Sequence, residues 1–271
     1  MTINNDQEFL ALLKRIFKER GLDLSQYKEK CLKRRIDVRL RVTGAQSYLE
    51  YMAVLKKDPK EYDRLFDTLT INVTNFFRDR NTYSVIENKV IPELVSSKKN
   101  QGKKIIRIWS AGCASGEEPY SIAILFHEIL KESIGDFLIS IYATDIDEEV
   151  MGKAKKAEYE ASAVSETDMK IINRYFNQNQ NYILKEEIKQ MVRFKRHDLI
   201  SDEPLTHLDI ILCRNVLIYF SRDLQVSLFN KFYEGLNRGG YLILGKTESL
   251  AGEFAGLFQS VNIEEKIYQK S

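Results

Sequence analysis

Apolar residues recur at three- and four-residue intervals through the first seventy positions, then give way to short continuous apolar runs. Phe9, Leu12, Leu13, Ile16 and Phe17 mark one helical stripe, with Gly21 as a stop. Leu32, Ile36 and Leu40 mark a second, with Gly44 beyond its end. Tyr48, Leu49, Met52 and Leu55 mark a third, ending near Asp58 and Pro59, and Tyr62, Leu65, Phe66 and Leu69 begin a fourth. Residues 6–70 are therefore predicted to form four short amphipathic helices. From Ile105 the pattern changes to strand-like runs at 105–109, 138–144, 192–196, 208–213 and 241–244, alternating with helices at 119–131, 148–154 and 222–236. That alternation implies an α/β fold with a mostly parallel, doubly wound sheet. Residues 261–263 and 266–269 read as a closing antiparallel pair. The polar stretch 96–104 reads as a linker, and 177–181, followed by Tyr182, Ile183 and Leu184, as a small inserted hairpin. The expected domains are 1–75, all helical, and 76–271, with a β insertion near 177–194.

Composition narrows the classes. Lysine and arginine number 41 against 39 acidic residues in 271, so global charge names no partner. The three cysteines (Cys31, Cys113, Cys213) and three histidines (His127, His197, His207) are scattered, which argues against a disulfide scaffold and a metal site. No run approaches the ~20 apolar residues of a membrane span, and Met1 to Glu8 is polar, so a cytoplasmic protein without membrane insertion is expected. Charge is concentrated in one place: residues 28–41 hold seven basic and two acidic side chains, a net charge of +5. Lys30, Lys33, Arg34 and Arg41 fall on one arc of that helix, a candidate docking face for an acidic partner.

The chemistry concentrates after the first strand, in Trp109-Ser110-Ala111-Gly112-Cys113-Ala114-Ser115-Gly116-Glu117-Glu118-Pro119-Tyr120-Ser121. A loop of small residues entering a helix admits a ligand to the backbone, as at nucleotide sites. Glu117 and Glu118 stand where a pyrophosphate would be repelled, and the G-x-G-x-x-G spacing is absent. Asp145, Asp198 and Asn215 follow three further strands, where such sheets bind ligands. An acid at the position of Asp145 commonly takes ribose hydroxyls. Carboxylates without clustered cations suit S-adenosylmethionine, a sulfonium nucleoside.

The chain resembles the CheR family of chemotaxis receptor methyltransferases in four motifs: Leu69-Thr70-Ile71-Asn72-Val73-Thr74-Asn75-Phe76-Phe77-Arg78; Trp109-Ser110-Ala111 with Gly116-Glu117-Glu118-Pro119-Tyr120-Ser121; Ala143-Thr144-Asp145-Ile146-Asp147; and Cys213-Arg214-Asn215-Val216-Leu217-Ile218-Tyr219-Phe220. The resemblance implies a Rossmann-like S-adenosylmethionine methyltransferase sheet and methyl transfer to glutamate side chains on the cytoplasmic helical domain of chemoreceptors. By position it implies cofactor contacts at Asn72, Thr74, Arg78, Glu118, Asp145, Asp198, Leu199, Arg214 and Asn215, with Asp198 standing where many relatives carry Asn. Arg78 and Tyr219 are the candidate catalytic pair, gripping the acceptor carboxylate. Relatives that hold a receptor-tail peptide use a glycine-containing loop in the inserted subdomain; residues 177–181 lack glycine, so independence from that peptide is expected. The competing reading, a nucleic-acid methyltransferase, lacks both an Asp/Asn-Pro-Pro-aromatic motif and a Pro-Cys nucleophile, and no nucleic-acid partner is expected.

Overall fold

The computed structural model describes residues 2–69, 74–250, 252–254 and 256–271. The chain divides into two compact units, Met1–Asn72 with Tyr219–Leu224, and Val73–Ile218 with Gln225–Ser271.

The first unit holds α1 (Thr2–Arg20), α2 (Glu29–Thr43), α3 (Tyr48–Lys57) and α4 (Lys60–Leu69). Phe9, Leu12 and Ile16 of α1, Leu32 and Ile36 of α2, Tyr51 and Leu55 of α3 and Leu65 of α4 are buried. Two expected core residues are not: Phe17 is 55% and Leu49 61% exposed. Each lies one residue, or ~100°, past the buried arc of its helix. Gly44 caps α2 in the left-handed conformation (φ 77°), so the predicted stop has a backbone cause. A single buried acid joins three helices. Glu61 of α4 accepts two bonds from Arg39 of α2, both 2.8 Å, and one of 2.9 Å from the Tyr51 hydroxyl of α3. Burial pushes its carboxyl up, but the Arg39 and Tyr51 bonds outweigh that and hold it below the usual range.

The second unit is built on a seven-stranded sheet. Its helices are α5 (Arg80–Val85), α6 (Ile91–Asn100), α7 (Glu117–Leu130), α8 (Glu148–Lys156), α9 (Met169–Tyr175), α10 (Glu186–Lys189) and α11 (Arg222–Gly235), the last starting in the segment shared with the first unit. Its strands are β1 (Ile105–Ala111), β2 (Leu138–Asp145), β3 (Glu158–Tyr159), β4 (Phe176–Gln178), β5 (Tyr182–Leu184), β6 (Val192–Arg196), β7 (Leu208–Cys213), β8 (Leu236–Leu244), β9 (Phe258–Asn262) and β10 (Ile267–Lys270). The large sheet runs β6-β2-β1-β7-β8-β10-β9. Its first five strands are parallel, and β10 pairs antiparallel with β8 and β9. β7 is buried at every position, as expected of a central parallel strand. The chain winds outward from β1 through β2 to β6, then returns to the other side of β1 with β7. That reversal opens a crevice at the carboxyl ends of β1 and β7.

The doubly wound sheet and the closing antiparallel pair are as predicted; several boundaries differ. The helix expected from 119 begins at Glu117, because Gly116 (φ 94°) ends the loop as its cap. α6 runs through 96–100 of the expected linker. β8 starts five residues before the apolar run at 241, since Gly239 and Gly240 hide its period. The inserted sheet has three strands, ordered β3-β5-β4, and β6 belongs to the large sheet, so the insertion ends before Val192 rather than at 194. Among the described residues no helix is long and apolar enough to cross a membrane.

Glu61→Ala strands a buried guanidinium and hydroxyl, at ~3–5 kcal/mol. Amide exchange in α2, α3 and α4 should accelerate while that in β1 and β7 is unchanged; unaltered protection in α2–α4 contradicts the role of Glu61.

Candidate functional site

The loop after β1 is fixed to its neighbours by backbone bonds. The N–H groups of Gly112 and Cys113 donate to the Thr144 carbonyl at 2.8 and 2.9 Å. Gly112 has φ 80°, and a Cβ there would lie 2.5 Å from Val216 Cγ2, so only glycine lets this loop meet the one after β7. Ala114 N–H donates to Asp145 Oδ2 at 2.9 Å and Asp147 N–H to Oδ1 at 3.1 Å. Burial pushes the Asp145 carboxyl up and these two N–H groups oppose it. Each oxygen retains acceptor capacity for a hydroxyl.

Glu118 stands in the first turn of α7. Its Oε1 accepts from Ser110 Oγ at 2.8 Å and its Oε2 from Arg214 Nη1 at 3.4 Å. Arg214 is 7% exposed and also donates from Nη2 to Asp79 Oδ2 (2.7 Å) and to the Arg78 carbonyl (3.0 Å). Its Nε has no hydrogen-bond partner among the described residues. Burial raises the Glu118 carboxyl and Arg214 counters it. Two expectations change here. The region was read as acidic without clustered cations, yet Arg214 balances two of its acids, so its guanidinium supports the site's frame. Glu117, which the sequence sets beside Glu118 as a second acid against a pyrophosphate, is 3% exposed, and both its oxygens take the Ser115 hydroxyl, at 2.9 and 2.7 Å. Burial pushes its carboxyl up to about 7.

After β7, Asn215 adopts the left-handed conformation (φ 62°). Its N–H donates to Glu248 Oε2 at 2.9 Å; the same carboxylate accepts from Gly245 N–H at 2.7 Å and Ile218 N–H at 3.2 Å. Glu248 therefore shapes the loop that presents Asn215, and its distance of 33 residues in sequence hid it. Asp79 and Ser110 were missed likewise, because nothing local marks them as partners of Arg214 and Glu118. Four of the eight positive-φ non-glycine residues among those described lie in the loops after β1 and β7 (Ala114, Asn215) or in the segment leading into α5 (Phe77, Asp79). Such concentration of backbone strain is characteristic of functional sites.

The remaining expected residues fall as follows. Asp198 Oδ1 accepts from Ile200 N–H at 2.9 Å and Oδ2 from Ser201 Oγ at 2.8 Å, bonds within its own turn. Leu199 is buried, its carbonyl held by Lys231 Nζ at 3.1 Å. Thr74 and Arg78 are half-buried; Asn72 lies outside the described residues. Tyr219 belongs to the helical unit. There the guanidinium of Arg35 stacks over its ring, 4.2 Å from the centroid, and Lys28 N–H donates to its carbonyl at 2.8 Å. On α2, Lys30, Arg34 and Arg41 are exposed. Lys33 is not a free charge: it pairs with Asp6 at 2.6 Å and Glu29 at 2.5 Å. With Arg35 buried and Arg39 bound to Glu61, the helix presents less charge than its sequence predicts. No group of acids, histidines and cysteines among the described residues could hold a metal.

Glu117 gives a pH-dependent prediction. Its folded pKa lies above the usual value, so the folded state binds its proton more tightly, and stability falls as pH rises from about 4.5 through 7. Glu117→Gln should leave stability unchanged at pH 4.5 and raise it at pH 8 by up to ~3 kcal/mol in urea unfolding. An equal effect at both pH values contradicts a buried, protonatable Glu117.

Comparison with known proteins bears on this geometry. Residues 72–267 match the model described as CheR methyltransferase, SAM binding domain, and residues 7–70 match CheR methyltransferase, all-alpha domain. A chemotaxis protein methyltransferase of Listeria innocua is 36% identical over 249 residues, covering 90% of this chain and 91% of that protein. One of Borreliella burgdorferi is 34% identical over 251 residues, covering 90% and 89%. The loops at the carboxyl ends of β1, β2 and β7 thus lie inside the matched S-adenosylmethionine-binding domain, and the chain belongs to the CheR family of S-adenosylmethionine-dependent chemotaxis methyltransferases.

Proposed function

We propose that this protein methylates glutamate side chains on the cytoplasmic helical domain of methyl-accepting chemotaxis receptors, in the cytoplasm, forming glutamyl methyl esters. The observation that carries this reading is the donor set at the sheet's switch point. Asp145 ends β2, Glu118 stands in the first turn of the helix that follows the adjacent parallel strand β1, and the buried cation paired with Glu118 is also bound by Asp79. Such a site fits a cationic nucleoside rich in hydroxyls and rejects a pyrophosphate. Asp145 would take the ribose hydroxyls and Glu118 the cationic portion, with Asn72, Thr74, Arg78, Asp198, Leu199 and Asn215 completing the cofactor contacts. S-adenosylmethionine, when bound, supplies a methyl group on a sulfonium, open to displacement by a carboxylate oxygen.

The acceptor needs no general base. Glutamate has an ordinary pKa of ~4.3 and is ionised at neutral pH. The remaining requirements are position and exclusion of water, together worth up to ~7–11 kcal/mol of a barrier. Arg78 and Tyr219 supply the grip: a guanidinium fork and a phenolic O–H both donate to a carboxylate. One oxygen is held and the other left to attack. Lys30, Arg34 and Arg41 on α2 attract the glutamate-rich receptor helices, with Lys33 contributing little because Asp6 and Glu29 already pair with it. The β4–β5 hairpin turns through Asn179, Gln180 and Asn181 without glycine, and docking proceeds without a receptor-tail peptide.

The test is incubation with tritiated S-adenosylmethionine and receptor-containing membranes. The label should be released as methanol by mild alkali; label that survives indicates N-methylation and overturns the reading. Arg78→Ala and Tyr219→Phe should each lower transfer by ~100-fold or more with unchanged circular dichroism, the scale of a lost transition-state contact. In the same assay Arg34→Glu with Arg41→Glu should raise KM for receptor at low salt and spare kcat.

A further inference from the structure

A cavity of about 760 Å³ lies where β1, β7 and β8 begin, at the edge of the sheet opposite the carboxyl ends that carry Glu118, Asp145 and Asn215. Its size is that of a small-molecule site, ~300–1,000 Å³. One buried acid builds its floor. Asp209, 3% exposed, accepts from Lys98 Nζ at 2.7 Å, from Asn237 Nδ2 at 2.8 Å and from Arg107 N–H at 3.0 Å. These bonds lock α6, β1, β7 and β8 together. The other lining acid, Glu93, accepts from the Tyr241 hydroxyl at 2.9 Å. Both carboxylates are therefore engaged in the wall.

Apart from Lys98, the lining cations are not. Lys103, Lys104, Arg107 and Arg238 line the same cavity, and none forms an ion pair among the described residues. With Asp209 balanced by Lys98, these four cations outnumber the one remaining acid, Glu93, and raise the cavity's potential for anions. The Tyr241 ring, 1% exposed, offers no stacking face, and the exposed ring of the lining is the His207 imidazole. Recognition there rests on charge and hydrogen bonding. Arginine forks take two oxygens of a phosphate and lysines act as mobile point charges beside them. An acidic peptide would need cations spaced along a track, whereas these line one cavity.

We propose that this cleft is a second ligand site, taking a small molecule with two or more linked phosphates. It shares no residue with the cofactor loops and does not depend on the assignment of the methyl acceptor. The site is tested by calorimetry of the full chain with inorganic triphosphate and with ATP, at fixed ionic strength. One site per chain is expected for triphosphate, and Lys104→Gln/Arg107→Gln/Arg238→Gln should weaken it at least ~10-fold. The matched variant Lys131→Gln/Lys155→Gln/Lys156→Gln, whose side chains are exposed elsewhere, should bind as the native protein does. Affinity for S-adenosylhomocysteine unchanged in both variants shows that the fold is intact. Equal binding of ATP and triphosphate shows that the phosphate chain suffices; tighter ATP binding adds recognition of the nucleoside. No saturable binding of either, equal loss in both variants, or tighter binding of a hexaglutamate peptide overturns the proposal.

Discussion

The buried guanidinium of Arg214 is the constraint on which the cofactor end of the sheet unit depends. A cation taken out of water costs several kcal/mol unless acids and hydrogen bonds surround it. Asp79, Glu118 and the Arg78 carbonyl do so at 2.7, 3.4 and 3.0 Å. The partners come from two elements, the segment leading into α5 (Arg78 and Asp79) and the first turn of α7 (Glu118), while Arg214 itself comes from the loop after β7. Without the cation, the half-buried Asp79 and Glu118 would lose the charge that balances them, and the Arg78 carbonyl would lose its bond to the guanidinium.

Around that frame the fold supplies edges and strain. The reversal of strand order beside β1 sets two loops face to face, and the 2.5 Å approach of a Gly112 Cβ to Val216 measures how closely they meet. Glu248 gathers three backbone N–H groups and so holds Asn215 in a conformation that L-residues adopt rarely. These are features of a preorganised pocket. They suit a reaction whose nucleophile is already charged and whose barrier falls through alignment more than through proton transfer. The helical unit contributes differently: Glu61 ties three helices through Arg39 and Tyr51, and Lys30, Arg34 and Arg41 of α2 are left exposed.

Much of this was legible in the amino-acid order because period and position report burial directly. The helical stripes, the parallel strands and the acids at strand ends could all be read, and four motifs carried the family. What escaped reading was pairing at a distance. Arg214 meets Asp79 across 135 positions and Glu248 meets Asn215 across 33, with no local signal in either case. Glu117 and Glu118 look equivalent in sequence, yet helical rotation turns one to Ser115 and the other to Arg214. Charge counting on α2 overstated its outward field for the same reason, since Lys33, Arg35 and Arg39 are engaged within the unit. β3 is two residues long, too short to show a period of two.

The most direct measurement is a double-mutant cycle on S-adenosylhomocysteine affinity with Arg214→Gln and Glu118→Gln. If one buried ion pair frames the cofactor end, each single change strands a charge, and the double variant should bind no more weakly than the weaker single, with a coupling of at least ~1 kcal/mol. Losses that simply add would show two independent contacts and contradict the account.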